Sequence, residues 1–172
     1  MDKIKAKRQY NFNDTKPVLA VLGGSQGSLP LNNHYQKYFK QYTRAGIQIL
    51  WQCGSREFKK LQYSIHDENV RLFPFTDEMG PLYSAADLVV SRAGALALSE
   101  MAIMGKAMVL VPFPYAAGNH QSKNAKTFTN SGAAVLIPQT QLSSGDLEET
   151  VMGLINNPDK LKQMEKTNEK IL

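Results

Sequence analysis

The stretch Pro17-Val-Leu-Ala-Val-Leu22, followed at once by Gly23-Gly-Ser-Gln-Gly27, decides the fold. A short apolar run between polar residues and glycines is typical of a strand that is buried on both faces, as in a parallel sheet. A glycine-rich turn between such a strand and a helix is typical of an α/β unit. The first strand of a parallel sheet is therefore predicted here.

The same alternation continues downstream. Further strands are predicted at residues 47–52, 70–73, 87–91, 107–111 and 134–137. Helices are predicted at residues 33–45, 56–63, 79–86, 95–104, 121–130, 145–155 and 158–170. This order predicts an α/β fold with a Rossmann-like, doubly wound parallel sheet of about six strands, in which ligands bind beyond the carboxyl ends of the strands. The charge of the last helix favours its partial detachment.

Length and composition limit the class of protein. The 172 residues suit one domain, and 42% hydrophobic with 20% charged residues is typical of a globular chain. The longest apolar stretch, residues 107–113, is far below the roughly 20 residues that span a bilayer. No transmembrane segment is predicted, and the amino terminus lacks the apolar region of a signal peptide.

The content of charged residues, cysteine and histidine limits the classes of ligand that the chain is expected to bind. The net charge of +5 suits phosphates, nucleic acid or an anionic membrane face. No aromatic residues are interleaved with the basic clusters at stacking intervals, which argues against nucleic acid. The single cysteine, Cys53, excludes an internal disulfide and a thiolate cluster. His34 and His66 have no partner at ligand spacing, so no metal site is predicted.

The loop after the first strand is the first candidate binding element. Its glycines permit a positive φ or a close approach to a ligand, and N–H groups at a helix start attract an anion such as a diphosphate. Gly24, Ser25, Gln26 and Gly27 are therefore candidate ligand residues, with a tight turn that binds nothing as the alternative. The spacing is neither GxGxxG nor that of the P-loop.

A second candidate loop, residues 91–100, joins the fourth strand to a helix. Gly94 near the helix start leaves backbone N–H groups for another phosphate contact. Glu100, about two turns inside the helix, can accept two hydrogen bonds from a ribose diol. A solvated carboxylate, paired or not with Lys106, is the alternative. Arg92 is expected either to touch phosphate or only to brace the loop.

The loop after the fifth strand, residues 112–121, is too polar and too rich in glycine and proline to be core. His120, Gln121 and Asn124 lie at the start of the next helix, with donors and acceptors that suit sugar hydroxyls. For His120, a role as helix cap or an exposed position in solvent is an equally open alternative to a sugar contact.

The loop after the third strand is a fourth candidate. The backbone of residues 75–79 and the Phe75 ring are placed to meet a base, with a hydrophobic plug and an Asp77 helix cap as the alternative. All four loops are expected to leave the same edge of the sheet, which favours one common site.

Four sequence segments together resemble the carboxy-terminal domain of the MurG family, from about Lys16 to the end. They are GGSQG at 23–27, FTDEM at 75–79, YSAADLVVSRAGALALSE at 83–100, and VPFP with NHQSKNA at 111–125. Members of this family add N-acetylglucosamine to the lipid-linked muramyl pentapeptide of the bacterial cell wall. The resemblance implies one half of a GT-B glycosyltransferase that binds UDP-N-acetylglucosamine with no metal or other cofactor.

The resemblance also assigns roles to residues. Ser25 is implied at the phosphates, the Thr76 backbone at the uracil and Glu100 at the ribose. Leu96 and Ala97 are implied at the diphosphate, and Gln121 with His120 at the sugar. Ala97 stands where the family often has a hydroxyl residue. Together with the candidate loops, this gives the predicted substrate-binding residues Gly24, Ser25, Gln26, Gly27, Phe75, Thr76, Arg92, Gly94, Ala95, Leu96, Ala97, Glu100, His120, Gln121 and Asn124.

The expected organisation is a linker or tag-like segment at residues 1–15 and a donor-binding domain at 16–172, with the amino-terminal acceptor domain absent. The general base is expected in that missing domain, so no catalytic residue is predicted here. Expected partners are a UDP-sugar, the acceptor domain in cis or in trans, and the lipid-linked acceptor, but no nucleic acid. A cytoplasmic location is expected, peripheral to the inner face of the membrane when the protein is complete.

Three other functions stay open at this point. The chain could be a non-catalytic nucleotide-sugar-binding or interaction module, or the soluble subunit of a split glycosyltransferase. A different doubly wound enzyme with the same fold, such as a sugar epimerase, is the third.

Overall fold

A computed structural model describes residues 1–171. Within them the strands are β1 Val18–Leu22, β2 Gln48–Gln52, β3 Val70–Phe73, β4 Leu88–Ser91, β5 Met108–Leu110 and β6 Ala134–Leu136. The helices are α1 Lys3–Gln9, α2 Leu29–Arg44, α3 Ser55–Gln62, α4 Met79–Ala85, α5 Ala95–Ile103, α6 His120–Asn130, α7 Asp146–Ile155 and α8 Pro158–Asn168. The predicted order of strands and helices is confirmed, and α1 is an addition to it.

The strands belong to one six-stranded sheet, and the chain divides into unit 1, Met1–Asp87, and unit 2, Leu88–Leu172. In unit 1 the parallel order is β3-β2-β1, with Val18 opposite Gln48. In unit 2 the parallel order is β4-β5-β6, with Val89 opposite Met108. Because parallel strands end at the same edge, the loops that follow the strands of one unit lie together.

Helix α2 begins earlier than the sequence pattern indicates. It starts at Leu29 rather than at residue 33, and the Ser28 hydroxyl caps it by accepting a hydrogen bond from the Leu31 N–H. Pro30 lies in the first turn, where the absent N–H costs nothing. The residues after the glycine loop therefore belong to the helix, which places the loop directly at a capped helix start.

Residues 1–15 contain a packed helix that the sequence pattern did not predict. Helix α1 packs against α4, and Ala6 and Phe12 are buried. Lys7 is only 4% exposed, and its ammonium donates to the Lys16 carbonyl at 2.7 Å. A connection from this segment to a further domain stays a prediction.

The Asp87 carboxylate holds α1 in place. It forms ion pairs with Lys3 and with Lys7, whose Nζ lies 3.5 Å from Oδ2. The same Oδ2 accepts a hydrogen bond from the Val18 N–H at 2.8 Å, at the start of β1. One acidic side chain thus joins the amino-terminal helix to the first strand.

Removing the charge of Asp87 is expected to destabilise the fold. Asp87→Asn removes the carboxylate that faces the Lys7 ammonium, whose other partners are carbonyl oxygens. Because the Asp87 side chain is 20% exposed, we expect a loss of about 1–2 kcal/mol, between that of an exposed pair and that of a fully buried pair. Unfolding in urea measures the change. Asp14→Asn is the matched control, because Asp14 pairs with the exposed Arg8 and exposed pairs contribute little. Equal unfolding midpoints for the two variants would show that the Asp87 pairs carry no stability.

Helix α8 is anchored, so its expected partial detachment is wrong. Met164 and Asn168 are fully buried. The Asn168 amide nitrogen donates to the carbonyl oxygens of Lys106 at 2.8 Å and Ala133 at 2.9 Å. The lysines of this helix lie on its exposed face. The charge content of the helix therefore gave no indication of the buried apolar stripe on its other face.

Candidate functional site

The loop after β1, residues 23–27, forms a turn that is exposed at Gly24, Ser25 and Gln26. The Gly27 N–H donates to the Gly24 carbonyl at 3.0 Å, and the Gln52 side-chain amide donates to the same oxygen at 3.0 Å. Gly24 has a φ of 86° and open space where a Cβ would lie. Ser25 and Gln26 are exposed at the tip. The tip therefore presents polar groups to solvent from a fixed backbone.

Gly27 has a different role from Gly24. Its φ is 75°, and a Cβ there would overlap the carbonyl oxygen of Cys53. A Cβ on Gly54 would lie 2.7 Å from the Gln26 carbonyl oxygen. The close approach that these glycines permit is thus between the loops after β1 and β2, and Gly24 alone is open to a ligand.

A pocket of about 290 Å³ adjoins this turn in unit 1. Asn32 is buried beneath it, accepting from the Trp51 indole at 3.0 Å and donating to the Cys53 carbonyl at 2.8 Å. The lining residues are Gln26, Gly27, Ser28, Leu29, Asn32, Arg56 and Glu57. Asn32 and Arg56 were not predicted from the sequence.

The loop after β3 presents an exposed aromatic ring. Phe75 is 49% exposed, which excludes the alternative of a hydrophobic plug. The Thr76 hydroxyl accepts a hydrogen bond from the Glu78 N–H at 3.1 Å. Glu78 is the N-cap of α4 and no side chain caps this helix, so the Asp77 cap is wrong.

Helix α5 starts without a side-chain cap. Gly94 is its N-cap, and the Leu98 N–H bonds to the Gly94 carbonyl. Ala95 and Leu96 in the first turn are exposed, Leu96 by 75%. The uncapped N–H groups and the helix dipole together favour an anion at this end. Glu100 lies partly exposed further along the same helix.

Arg92 braces the two loops of unit 2. Its Nη1 donates to the carbonyl oxygens of Val111 at 3.1 Å and Pro112 at 3.3 Å. The guanidinium lies 5.5 Å from the centre of the Phe113 ring. Burial lowers the pKa of Arg92. Bracing is thus observed, and a phosphate contact stays a prediction.

Gln121 and Asn124 both hold Ala93, which directly precedes Gly94. Gln121 Oε1 accepts from the N–H groups of Ala93 at 3.1 Å and Phe113 at 2.9 Å. Asn124 Nδ2 donates to the Ala93 carbonyl at 3.2 Å. His120 is exposed at the start of α6, where Asn119 is the N-cap. These contacts were not predicted from the sequence, because they join segments far apart along the chain.

The described residues offer no reactive thiol and no metal cluster. Cys53 is fully buried, and burial raises the pKa of its thiol to about 11, so it is protonated at neutral pH. No group of three or more histidine, cysteine or acidic side chains within residues 1–171 is placed to hold a metal ion. Over the same residues, no helix combines the length and apolarity needed to cross a bilayer.

Parallel strands that end in a glycine turn and an uncapped helix start define the class of Rossmann-like α/β domains. The sequence profile of the glycosyltransferase family 28 C-terminal domain matches residues 18–171. The chain therefore belongs to this family. The predicted fold class, one half of a GT-B glycosyltransferase with a doubly wound parallel sheet, is confirmed.

Relatives with known names support the same family. The chain is 39% identical over 167 residues to the UDP-N-acetylglucosamine–N-acetylmuramyl-(pentapeptide) pyrophosphoryl-undecaprenol N-acetylglucosamine transferase of Syntrophus aciditrophicus, covering 90% of this chain and 46% of the relative. The crystal structure of Acinetobacter baumannii MurG matches with a TM-score of 0.82 and 30% identity, over 96% of this chain and 48% of that chain. The resemblance to the MurG family is confirmed.

A more distant match shares the fold alone. The UDP-GlcNAc 2-epimerase from Neisseria meningitidis, solved with UDP-GlcNAc, matches with a TM-score of 0.63 at 16% identity, over 94% of this chain and 42% of that chain. The chain spans about half the length of the two MurG relatives named above.

Proposed function

We propose that this chain is the donor-binding domain of a glycosyltransferase that transfers N-acetylglucosamine from UDP-N-acetylglucosamine to lipid-linked muramyl pentapeptide in peptidoglycan synthesis. Family membership and the named relatives support this substrate class. The observation that carries the proposal is the uncapped start of α5, with Glu100 and with Gln121, whose Oε1 accepts from the Ala93 N–H, in the same unit. The non-catalytic module has no observation in its favour.

In the proposed mechanism the acceptor hydroxyl displaces UDP from the anomeric carbon without a metal. The N–H groups at the start of α5 stabilise the negative charge that develops on the departing diphosphate. Glu100 accepts from the ribose hydroxyls, because a carboxylate only accepts hydrogen bonds. Gln121 Nε2 donates to a sugar oxygen, with His120 and Asn124 nearby in sequence.

For unit 1 the proposed donor contacts are backbone groups and exposed side chains. The turn at Gly24, Ser25 and Gln26 receives phosphate oxygens, since its tip is polar and its Gly24 side is open. The backbone of Thr76 forms hydrogen bonds with the edge of the uracil, and the exposed Phe75 ring packs against the base. Gly27 remains a proposed donor-binding residue only because it belongs to this turn.

The remaining parts of the proposal lie outside the chain. The general base and the acceptor site belong to an amino-terminal domain, supplied in cis or in trans, and the complete protein acts at the cytoplasmic face of the membrane. The half-length match to the relatives supports this division.

Calorimetry of this chain tests the proposal. Saturable binding of UDP-N-acetylglucosamine is expected, in competition with UDP and with the same affinity in EDTA, because helix N–H groups replace a cation. ADP-glucose is the control ligand and should not compete. No binding of UDP, or binding only with added Mg²⁺, would contradict the proposal. Transfer restored by an added acceptor domain, but not by this chain alone, would separate the enzyme from the non-catalytic module.

A further inference from the structure

A second cavity of unit 1, of about 300 Å³, lies at the sheet edge opposite the candidate binding loops. Its lining residues stand at the amino ends of the strands: Lys16 comes just before β1, Gln48 begins β2 and Asn69 directly precedes β3. The loops after β1 and β3 leave the other ends of the same strands. The cavity therefore does not belong to the proposed donor site.

The lining of this cavity is entirely polar, with an excess of positive charge. Its charged side chains are Lys16, Arg71 and Glu68, and all its other side chains are amides. None of the three charged side chains forms an ion pair with another residue within 1–171. Two cations without a paired carboxylate favour an anionic ligand.

The guanidinium of Arg71 is held in place by neutral groups alone. Its Nε donates to the Tyr10 carbonyl at 2.6 Å, and its Nη2 donates to the Asn11 carbonyl at 3.0 Å. Nη1 donates to two further carbonyl oxygens, and the guanidinium lies 4.9 Å from the centre of the Phe12 ring. Four of its five N–H groups are thus used, and one N–H of Nη2 is left. The positive charge is fixed in position but is not neutralised.

Asn13 offers an amide nitrogen whose orientation is fixed. Its Oδ1 accepts from the N–H and the hydroxyl of Thr15, at 2.9 and 2.8 Å. The buried Gln48 side chain holds the Asn13 backbone, because its Oε1 accepts from the N–H at 2.6 Å and its Nε2 donates to the carbonyl at 3.0 Å. The Asn13 Nδ2 has no hydrogen bond to any residue within 1–171. Two N–H donors are therefore available in the lining.

We propose that this cavity binds an oxyanion, the phosphate or carboxylate group of a small solute. Lys16 supplies a cation whose Nζ has no polar contact with the rest of residues 1–171. Asn13 supplies neutral donors, and Arg71 supplies the fixed charge. Hydrogen bonds from cationic donors to such anions are stronger than those between neutral groups. The proposal is independent of donor binding, because none of these residues belongs to the proposed donor site.

Titration of the chain with inorganic phosphate and, separately, with acetate tests this site, with backbone amide shifts followed by NMR. Saturable shifts are expected at Asn13, Lys16 and Asn69, with a Kd of about 1 mM or tighter for at least one of the two anions. Tighter binding of phosphate assigns the site to phosphate esters, and tighter binding of acetate assigns it to carboxylates. Shifts that do not saturate, or that are confined to the loops after the strands, would overturn the proposal.

Two substitutions remove donors from the lining. Lys16→Gln removes the cation, and Asn13→Asp keeps Oδ1 for its turn but replaces Nδ2 by an acceptor. Each should weaken binding of the preferred anion by about tenfold or more, the loss of one hydrogen bond to a charged group. Lys59→Gln is the matched control, because Lys59 is exposed on α3. Equal affinities in Lys16→Gln and Lys59→Gln would overturn the site.

Glu68→Gln tests the selection for negative charge. It removes the one carboxylate of the lining and should raise the affinity for acetate by about twofold to fivefold. A lower affinity would contradict an anion site. The unfolding midpoint of each variant checks that it is folded. If the wild-type chain binds no UDP, the proposed function fails, whereas the phosphate and acetate titrations still decide this proposal.

Discussion

Gly27→Ala is expected to destabilise the protein by about 3 kcal/mol or more, the largest stability effect at the glycine loop. The new Cβ would overlap the carbonyl oxygen of Cys53, which is backbone and cannot rotate away. Overpacking costs about 1–3 kcal/mol, and an alanine forced to positive φ adds about 1–2 kcal/mol. Urea-induced unfolding measures the loss.

Gly24→Ala is the matched control, because Gly24 also has a positive φ but no neighbour within 4 Å of the place that a Cβ would take. Only the conformational cost applies, about 1–2 kcal/mol. Similar losses for the two variants would show that the contact between the loops after β1 and β2 does not constrain Gly27.

Glu100→Ala is expected to lower the affinity for UDP by at least about 100-fold while leaving the fold intact. Each hydrogen bond to a charged group contributes about 1.5–3 kcal/mol, and the ribose diol offers two. Glu100→Gln keeps one acceptor oxygen and should fall between the wild type and Glu100→Ala. Calorimetry gives the affinities, and the unfolding midpoint of each free variant checks the fold.

A double-mutant cycle with 2′-deoxy-UDP assigns the effect to the ribose. The wild-type chain should lose affinity when the 2′-hydroxyl is removed, and Glu100→Ala should not respond to that removal. If removal of the 2′-hydroxyl lowers the affinity of both proteins by the same factor, Glu100 does not contact this hydroxyl. Unchanged UDP affinity in Glu100→Ala would remove the residue from the site altogether.

The strand and helix order was predictable because each element carries its own local signal. Apolar runs such as Val18–Leu22 mark buried strands, and Gly46 marks a helix end at positive φ. Helix α1 escaped prediction because only Ala6 and the stem of Lys7 are buried, which leaves no apolar stripe. Lys7 counted as a surface charge in the sequence, although its ammonium is held by carbonyls and by Asp87.

The candidate site was predictable as a set of loops and not as a set of contacts. Glycines, strand ends and helix starts located the turns around Gly24 and Gly94. No local pattern indicates that Gly27 faces Cys53, or that Gln121 accepts hydrogen bonds from two separate loops. Those contacts depend on the spacing of neighbouring strands, which only the folded chain sets.

The Asp87 ion pairs have a practical consequence for anyone who shortens this protein. The family profile begins at residue 18, whereas the folded body begins at α1, Lys3–Gln9. Cutting at the homology boundary would delete both lysines that neutralise Asp87 and uncover the α4 surface beneath α1. The smallest version that keeps its native stability is therefore longer than the span of the family profile would suggest.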